Sequence, residues 1–171
     1  MNRQRIVVIG NGMVGHRLLE ALVDLDATHQ FDVVVFGEEP REAYDRVALS
    51  TWFTGATVEE LTLPEPGYYA RHGITLHVGE KVDRIDREAK RVRTSAGRSV
   101  FYDVLVLATG SFPFVPLVGN GDIEGTFVYR TIDDLEAIAA FAMRPEVTAG
   151  AVIGGGLLGL EAADALRNLG L

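Results

Sequence analysis

Two short glycine patterns contain the residues best suited to chemistry in this sequence. The first is Gly-x-Gly-x-x-Gly at residues 10–15, directly after the β-branched run at 6–9. In such a turn Gly10 permits a tight bend, Gly12 lets backbone approach a pyrophosphate, and Gly15 lets a following helix pack closely on the strand. Unpaired backbone N–H groups and the helix dipole favour an anion there. The pattern predicts a dinucleotide-binding turn.

The same pattern occurs again about 144 residues later. An apolar run at 149–153 leads into Gly154, Gly156 and Gly159, and helical apolar spacing follows. We predict a second strand, turn and helix in this region. Two such units in one chain predict two bound dinucleotides, and the pair is far more specific than either copy alone.

The next predicted strand covers residues 31–36, and an acidic pair follows it. Glu38 stands 23 positions after Gly15, and Glu39 is its neighbour. An acidic residue about 20 positions beyond the glycine motif can accept hydrogen bonds from an adenosine ribose. The alternative is a solvated acidic pair after an ordinary glycine turn.

Two further segments are candidates for the same ligand. Arg46 offers a fixed fork of donors that suits a phosphate, with a solvated arginine as the alternative. Residues 108–110, Ala-Thr-Gly, end a predicted buried strand at 102–107. Open α/β sheets bind ligands at the carboxyl ends of their strands, so this turn is expected near the first dinucleotide. A plain strand-to-loop turn is the alternative.

The remaining pattern predicts the elements that position these residues. Short strands at 82–85, 91–94 and 99–101 with turn residues between them predict an antiparallel meander, whose charged residues we interpret as a solvated face. Thr131 is expected to cap a helix. A short strand is expected at 127–130.

Composition narrows the classes of function. The net charge of −8, from 24 acidic and 16 basic residues, argues against nucleic acid or an anionic membrane as partner. The absence of cysteine excludes disulfides, thiolate metal sites and a redox dithiol, so redox chemistry would need a bound cofactor.

The four histidines do not group with carboxylates at metal spacing; we expect no metal site and treat them as surface or lightly packed residues. The apolar run before Gly10 is too short for a signal peptide, which predicts a cytoplasmic location.

Taken together, the motifs resemble the pyridine nucleotide-disulfide oxidoreductase-like flavoprotein reductases. More narrowly, they are similar to the N-terminal FAD/NAD(P)H-binding region of NADH-dependent nitrite reductase large subunits. The similarity lies in residues 10–16, 37–41, 43–50, 129–135 and 154–170. It implies an α/β fold: a Rossmann-like FAD-binding domain with a parallel sheet, helices and an antiparallel β-meander over 1–117. A crossover and the start of a second Rossmann-like, NAD(P)-binding domain would occupy 118–171.

The resemblance also implies roles for individual residues, none of them a catalytic acid, base or nucleophile. FAD would be held by Gly10, Asn11, Gly12, Met13, Val14, Gly15, Glu38 or Glu39, Arg46, the backbone near Val82, Ala108, Thr109, Gly110 and Arg130. NADH or NADPH would be held by Gly154, Gly156, Leu157, Leu158 and Gly159. Glu161 matches a position near the nicotinamide and the flavin, with a helix-surface carboxylate as the plain alternative.

The implied activity passes electrons from NADH through FAD to a downstream acceptor, either a sirohaem and iron–sulfur region that reduces nitrite or an acceptor protein. With no cysteine to hold a cluster, nitrite reduction by this chain alone is not expected. One alternative is a ferredoxin or rubredoxin reductase, although those relatives usually have Pro and Lys where Val47 and Thr51 stand here. The other is a non-catalytic nucleotide-binding module. We expect Leu171 to leave the second unit incomplete, so that uncovered apolar edges favour a homo-oligomer.

Overall fold

The computed structural model describes residues 3–115 and 123–171. They form two compact units, one of residues up to Tyr44 with Thr62–Ser111, the other of Asp45–Leu61 with the chain after Ser111. The domain division at residue 117 stays a prediction. The elements are β1 Arg5–Ile9, α1 Met13–Asp24, β2 Asp32–Phe36, α2 Val58–Leu61, α3 Tyr68–Arg71, β3 Ile74–His77, β4 Val82–Asp86, β5 Arg91–Thr94, β6 Ser99–Phe101, β7 Val104–Leu107, α4 Ile132–Ala142 and α5 Leu157–Asn168, with short 3-10 helices at Ala27–His29 and Leu49–Thr54.

The first unit is built on a four-stranded parallel sheet in the order β3-β2-β1-β7. The strands are rich in β-branched residues, as expected where both faces of a parallel sheet are covered. Val8, Val33 and Val35 form one core cluster with Leu19 of α1 and Tyr69 of α3. The alternate residues of the strands face the opposite side of the sheet. Together with the antiparallel meander described next, this arrangement confirms the predicted fold class.

The meander covers that opposite side. Strands β4, β5 and β6 pair antiparallel in sequence order, which confirms the predicted meander. Val92 of β5 joins Val7, Val34 and Phe36 in the second core cluster of this unit. Val92 is fully buried because it lies between the two sheets.

In the second unit, Thr131 caps α4 as predicted. Its hydroxyl accepts the Asp134 N–H at 3.2 Å, and the Asp134 carboxylate accepts the Thr131 N–H at 2.8 Å. This reciprocal pair is a capping box, and it satisfies two backbone donors at the start of the helix. Asp133 and Asp134 also place negative charge in the first turn, where the helix dipole favours it.

Three strand predictions need correction. No strand forms at 149–153 or at 127–130, because neither segment has a neighbouring strand among the described residues to complete a hydrogen-bonded ladder. The strand at 102–107 begins only at Val104, and it lies at an edge of the sheet rather than in a fully buried position. Val104 is 45% exposed and Leu107 60% exposed, and β7 has a neighbouring strand on one side only.

The expectation that all four histidines are surface or lightly packed residues is also wrong for one of them. His16 is 4% exposed, since it falls on the face of α1 that packs against Tyr68 of α3. Within residues 3–115 and 123–171, no group of three or more potential ligand side chains is placed to hold a metal ion. Nor does any helix in these ranges have the length and apolar character needed to cross a membrane.

Candidate functional site

The first glycine turn is shaped by close backbone contacts. Gly10 has φ +109°, a conformation that side chains other than glycine rarely adopt, and a Cβ built on it would overlap the carbonyl oxygen of Ala108. A Cβ on Gly15 would overlap the carbonyl oxygen of Gly10. The turn therefore needs glycine at both positions for reasons of space.

The turn delivers a helix N-terminus to the end of β1. Gly12 is the residue that precedes α1, and its carbonyl accepts the His16 N–H at 2.9 Å. The N–H groups of the first turn, at Met13 to Gly15, have no partners within the helix, as at any helix start. The first turn holds no acidic side chain, and Val14 is 74% exposed. This combination leaves the positive end of the dipole accessible to an anion.

The strand order places this turn at the switch point of the sheet. The chain runs from β1 to β2 on one side of the sheet, whereas β7 pairs with the other side of β1. At the carboxyl ends of β1 and β7, the Ala108 N–H donates to the Ile9 carbonyl at 2.8 Å, and Gly110 has φ +69°. A ligand crevice in an open α/β sheet lies at such a point, and Ala108 lies against the first glycine turn there. The role of Ala108, Thr109 and Gly110 toward a dinucleotide stays a prediction.

Asn11 is held by contacts that the sequence did not reveal. The hydroxyl of Tyr69, itself 5% exposed, donates to Asn11 Oδ1 at 3.1 Å. A Cβ on Gly37 would lie 3.0 Å from Asn11 Cβ, so the chain after β2 must also be small there. Asn11 Nδ2 is buried and has no hydrogen-bond partner among the described residues. No local sequence pattern indicates the contact of Tyr69 with Asn11, because 58 positions separate the two residues.

The two candidate ribose acceptors have different environments. Glu38 is about half exposed and accepts a hydrogen bond from Lys81 Nζ at 2.8 Å. Glu39 is less exposed and accepts a hydrogen bond from the Tyr44 hydroxyl at 2.7 Å. Both carboxylates follow β2 in the first unit. The choice between them stays a prediction.

The segment before Val82 is tied to the meander. Val82 starts β4 and packs partly buried against the second core cluster. Just before it, Glu80 accepts hydrogen bonds from Arg98 Nε and Nη2 at about 3 Å and from the Thr94 hydroxyl at 3.1 Å. The hydrogen bond from Arg98, followed by that from Thr94, lowers the pKa of Glu80. These contacts give the backbone at Val82 a defined position.

The second glycine turn reproduces the geometry of the first within the second unit. Gly154 has φ +131°, Gly156 precedes α5 in an extended conformation, and a Cβ on Gly159 would overlap the Gly154 carbonyl oxygen. Both α1 and α5 contain 12 residues. Leu157 is 82% exposed and Leu158 55% exposed at the start of α5. The turn thus forms even though the apolar run before it is unpaired.

Arg46 and Arg130 come together in the second unit. Arg46 Nη1 donates to the Arg130 carbonyl at 3.1 Å, and the Arg130 N–H donates to Asp134 Oδ2 at 3.1 Å. The two predicted phosphate ligands therefore meet at the start of α4, although 84 positions separate them. Their role toward a phosphate stays a prediction.

Glu161 is half-buried on α5. Burial, followed by the negative charges of Glu161 and Asp164, raises the pKa of the Tyr129 hydroxyl to about 12. Tyr129 stacks on Phe53 with ring centroids 6.0 Å apart, and its hydroxyl is buried with no hydrogen-bond partner in the part of the chain that the structure describes. The role of Glu161 near the nicotinamide stays a prediction.

Each glycine turn fits an anionic dinucleotide by its donor chemistry. Gly10 and Gly154 have positive φ, and each bends the chain so that backbone without a side chain lies beside the start of a helix. The first turn of each of these helices holds no acidic side chain. A Cβ built on Gly155 or Gly156 would have no atom within 4 Å, so the second turn leaves open space at its surface. Backbone donors and open space are what a pyrophosphate requires.

A family comparison agrees with this geometry. The model of the family described as pyridine nucleotide-disulphide oxidoreductase matches residues 4–171. The chain belongs to this family. Membership confirms the family resemblance seen in the glycine motifs.

Individual relatives are similar over the whole chain. The NADH nitrite reductase large subunit of Escherichia coli is 54% identical over 171 residues, which are 100% of this chain and 20% of that protein. The assimilatory nitrate reductase electron transfer subunit of Bacillus subtilis is 42% identical over 100% of this chain and 22% of that protein. The chain thus spans about a fifth of the length of these curated relatives.

A solved structure shares the fold. The covalent putidaredoxin reductase–putidaredoxin complex contains a chain that superimposes with a TM-score of 0.82 at 31% identity. The match covers 98% of this chain and 41% of the other.

Proposed function

We propose that this chain is the FAD-binding part, with the first elements of the NAD(P)H-binding part, of an oxidoreductase that passes electrons from NADH to a downstream acceptor. The acceptor proposed is the nitrite-reducing region of an assimilatory nitrite reductase. The observation that carries the proposal is the pair of glycine turns of matching geometry, at Gly10 and Gly154. The 54% identity to a nitrite reductase large subunit supports the choice of acceptor.

In this proposal the chain's own residues bind and orient, and none of them reacts. The N–H groups of Met13 to Gly15 donate to the pyrophosphate of FAD, and Glu38 or Glu39 accepts from its adenosine ribose. The Arg46 and Arg130 side chains supply positive charge for phosphate oxygens. The start of α5, after Gly156, does the same for the pyrophosphate of NADH, with NADPH as the second candidate. Bound FAD supplies the redox chemistry that the side chains of a cysteine-free chain lack.

A second candidate function is reduction of a small iron–sulfur protein. The 31% identity to the reductase chain of the putidaredoxin complex favours it. Under this proposal the residues that hold nucleotides are the same, and only the acceptor differs. Nucleotide cofactors are therefore proposed as partners in either case, and a cytoplasmic location and a homo-oligomer stay predictions.

The visible spectrum of the purified chain with added FAD tests the first step. We expect bound flavin, and bleaching when NADH is added without oxygen. The matched controls are Gly10→Ala, which fills the turn, and Gly55→Ala, which has a similar φ of +106° but open space around it. FAD bound by Gly55→Ala and lost by a Gly10→Ala protein that is still folded would support the turn as the site.

Each other outcome has a defined meaning. Folded protein that binds no FAD would contradict the proposal for residues 10–15. Binding without bleaching would retain the FAD site and contradict delivery of electrons by this chain. Reduction of an added ferredoxin at a higher rate than of a nitrite-reducing partner domain would favour the second candidate.

A further inference from the structure

The outer face of the β4–β5–β6 sheet carries three exposed arginines. Val92 and Thr94 of β5 are buried, so the alternate residues Arg91 and Arg93 lie on the opposite, exposed side. In the strand register Arg84 of β4 stands directly opposite Arg93. Phe101 of β6, opposite Arg91, is 40% exposed. We call Arg84, Arg91, Arg93 and Phe101 the arginine face.

The charges of this face are not neutralised within the described residues. Arg84, Arg91 and Arg93 form no ion pair there, whereas Arg98 pairs with Glu80 and Lys81 pairs with Glu38. Like charges directly opposite in an antiparallel pair destabilise a sheet. The Arg84–Arg93 pair therefore opposes folding unless an anion neutralises it.

Asp86 is the acidic residue that stands opposite Arg91 in the register. Its Oδ1 instead accepts the Ala89 N–H at 2.9 Å, in the turn between β4 and β5. Asp86 and Arg91 form no ion pair in the structure. The carboxylate thus stabilises the turn, and the face keeps its positive charge.

The meander is positively charged, whereas the chain as a whole is negatively charged. Residues 81–98 contain seven basic and three acidic residues, a net charge of +4. Because the whole chain has a net charge of −8, all other residues together carry −12. An acidic protein is repelled by most of this surface and steered to the meander, which sets the orientation of approach.

The shape and chemistry of the face suit carboxylates. A surface depression of about 380 Å³ is lined by Arg84 and Arg93 with Thr94, Ser95, Gly97 and Asp83. Arginine forks bind carboxylates through two parallel hydrogen bonds, and arginine and aromatic residues are enriched in protein interfaces. Phe101 supplies an apolar contact beside the charges.

We propose that the arginine face is a docking surface for an acidic protein partner. Carboxylates of the partner bond to Arg84 and Arg93, and an apolar side chain of the partner packs on Phe101. The inference does not depend on flavin binding, because it uses only the register and the charges of the meander.

Fluorescence anisotropy with a labelled decaglutamate peptide tests the charge recognition. We expect binding that weakens steeply as the salt concentration rises from about 50 to about 300 mM, since exposed charges are screened over that range. Arg84→Gln with Arg93→Gln is expected to weaken binding about tenfold. The matched control is Arg17→Gln with Arg167→Gln, which removes the same charge from exposed helix positions and is expected to change binding less than twofold.

A second readout tests the like-charge repulsion between Arg84 and Arg93 on which the proposal rests. Arg84→Gln alone is expected to raise the urea midpoint of unfolding, because it removes the like-charge pair, whereas Arg17→Gln is expected to leave it unchanged or lower it. No peptide binding at low salt, or equal losses in both double variants, would overturn the proposal.

Other occupants of the arginine face are distinguished by binding measurements with other probes and by the oligomeric state. Tighter, arginine-dependent binding of labelled duplex DNA or of phosphatidylserine vesicles than of the peptide would overturn an acidic protein as the partner. An oligomer of the chain that dissociates in the Arg84→Gln, Arg93→Gln variant would overturn it in favour of a second copy.

Discussion

The main chain of Gly10 lies against the carbonyl oxygen of Ala108, at the point where β1 and β7 both end. This contact closes the sheet beside the first glycine turn and leaves no room for a side chain. The structure of the turn is therefore sensitive to one carbon atom at Gly10.

Gly10→Ala is expected to lower the free energy of unfolding by more than 3 kcal/mol, from about 1–2 kcal/mol of left-handed strain and a backbone collision. Gly55→Ala carries similar strain without a collision, since no atom lies within 4 Å of its Cβ position. It should cost only about 1–2 kcal/mol. Urea unfolding of both variants measures the difference, and equal losses would mean that the Ala108 contact does not limit the site.

Gly159→Ala is expected to displace the start of α5, because the added Cβ would overlap the Gly154 carbonyl oxygen. We expect a loss of about 2 kcal/mol or more in the stability of the second unit and weaker NADH binding. Gly155→Ala is the control, because its Cβ meets open space and its φ lies outside the left-handed region. Circular dichroism melts and quenching of NADH fluorescence give the two readouts. A Gly159→Ala protein that matches Gly155→Ala in both would contradict the packing argument.

Tyr69→Phe removes the hydroxyl that donates to Asn11 Oδ1. The expected cost is about 1 kcal/mol, because a part-buried acceptor loses its partner. The adjacent Tyr68 offers a matched control, since its buried hydroxyl has no partner among the described residues. Tyr68→Phe should therefore be neutral or slightly stabilising, while it keeps the ring contact with His16. The prediction fails if both variants unfold at the same urea concentration.

His16 should make stability depend on pH near neutrality. Burial lowers the pKa of His16, while the charges of Glu20 and Glu42 oppose that shift. The unfolded chain then binds a proton at a higher pH than the folded chain does. Stability is therefore greatest above the ordinary histidine pKa of about 6.5, and it falls as the pH drops from there toward the folded pKa.

Urea unfolding between pH 8 and pH 5 measures this dependence, and His16→Gln should flatten it. The exposed His29 provides the control: His29→Gln should leave the slope unchanged. An equal slope in wild type and His16→Gln would show that the buried imidazole does not cause the dependence.

The ion pair of Glu80 with Arg98 should make stability depend on pH in the acidic range. The pKa of Glu80 is lowered first by the hydrogen bond from Arg98, so the contribution is fully present above the ordinary glutamate pKa. It is lost as the pH falls through the lowered value. Arg98→Gln should therefore destabilise the protein more at pH 6 than at pH 3, as measured by urea unfolding. A constant difference across this range would contradict the assignment.

The sequence by itself determined the parts of this protein that depend on local chemistry. Four β-branched residues before Gly10, helical spacing after it, and turn residues between short alternating runs were sufficient to predict the parallel sheet and the meander. Thr131 and Asp134 are three positions apart, and their cap could be predicted for the same reason. The absence of cysteine, a matter of composition alone, was the basis for predicting that redox chemistry in this chain would need a bound cofactor.

Only the tertiary structure decided the contacts between distant segments. Asn11 with Tyr69, Gly10 with Ala108 and Arg84 with Arg93 depend on strand register and packing, which no local pattern encodes. The run at 149–153 shows the same limit, since it resembles the run at 6–9 yet forms no strand without a neighbour. A strand is stabilised by hydrogen bonds to another strand, so its formation is a property of the assembled sheet and not of the segment.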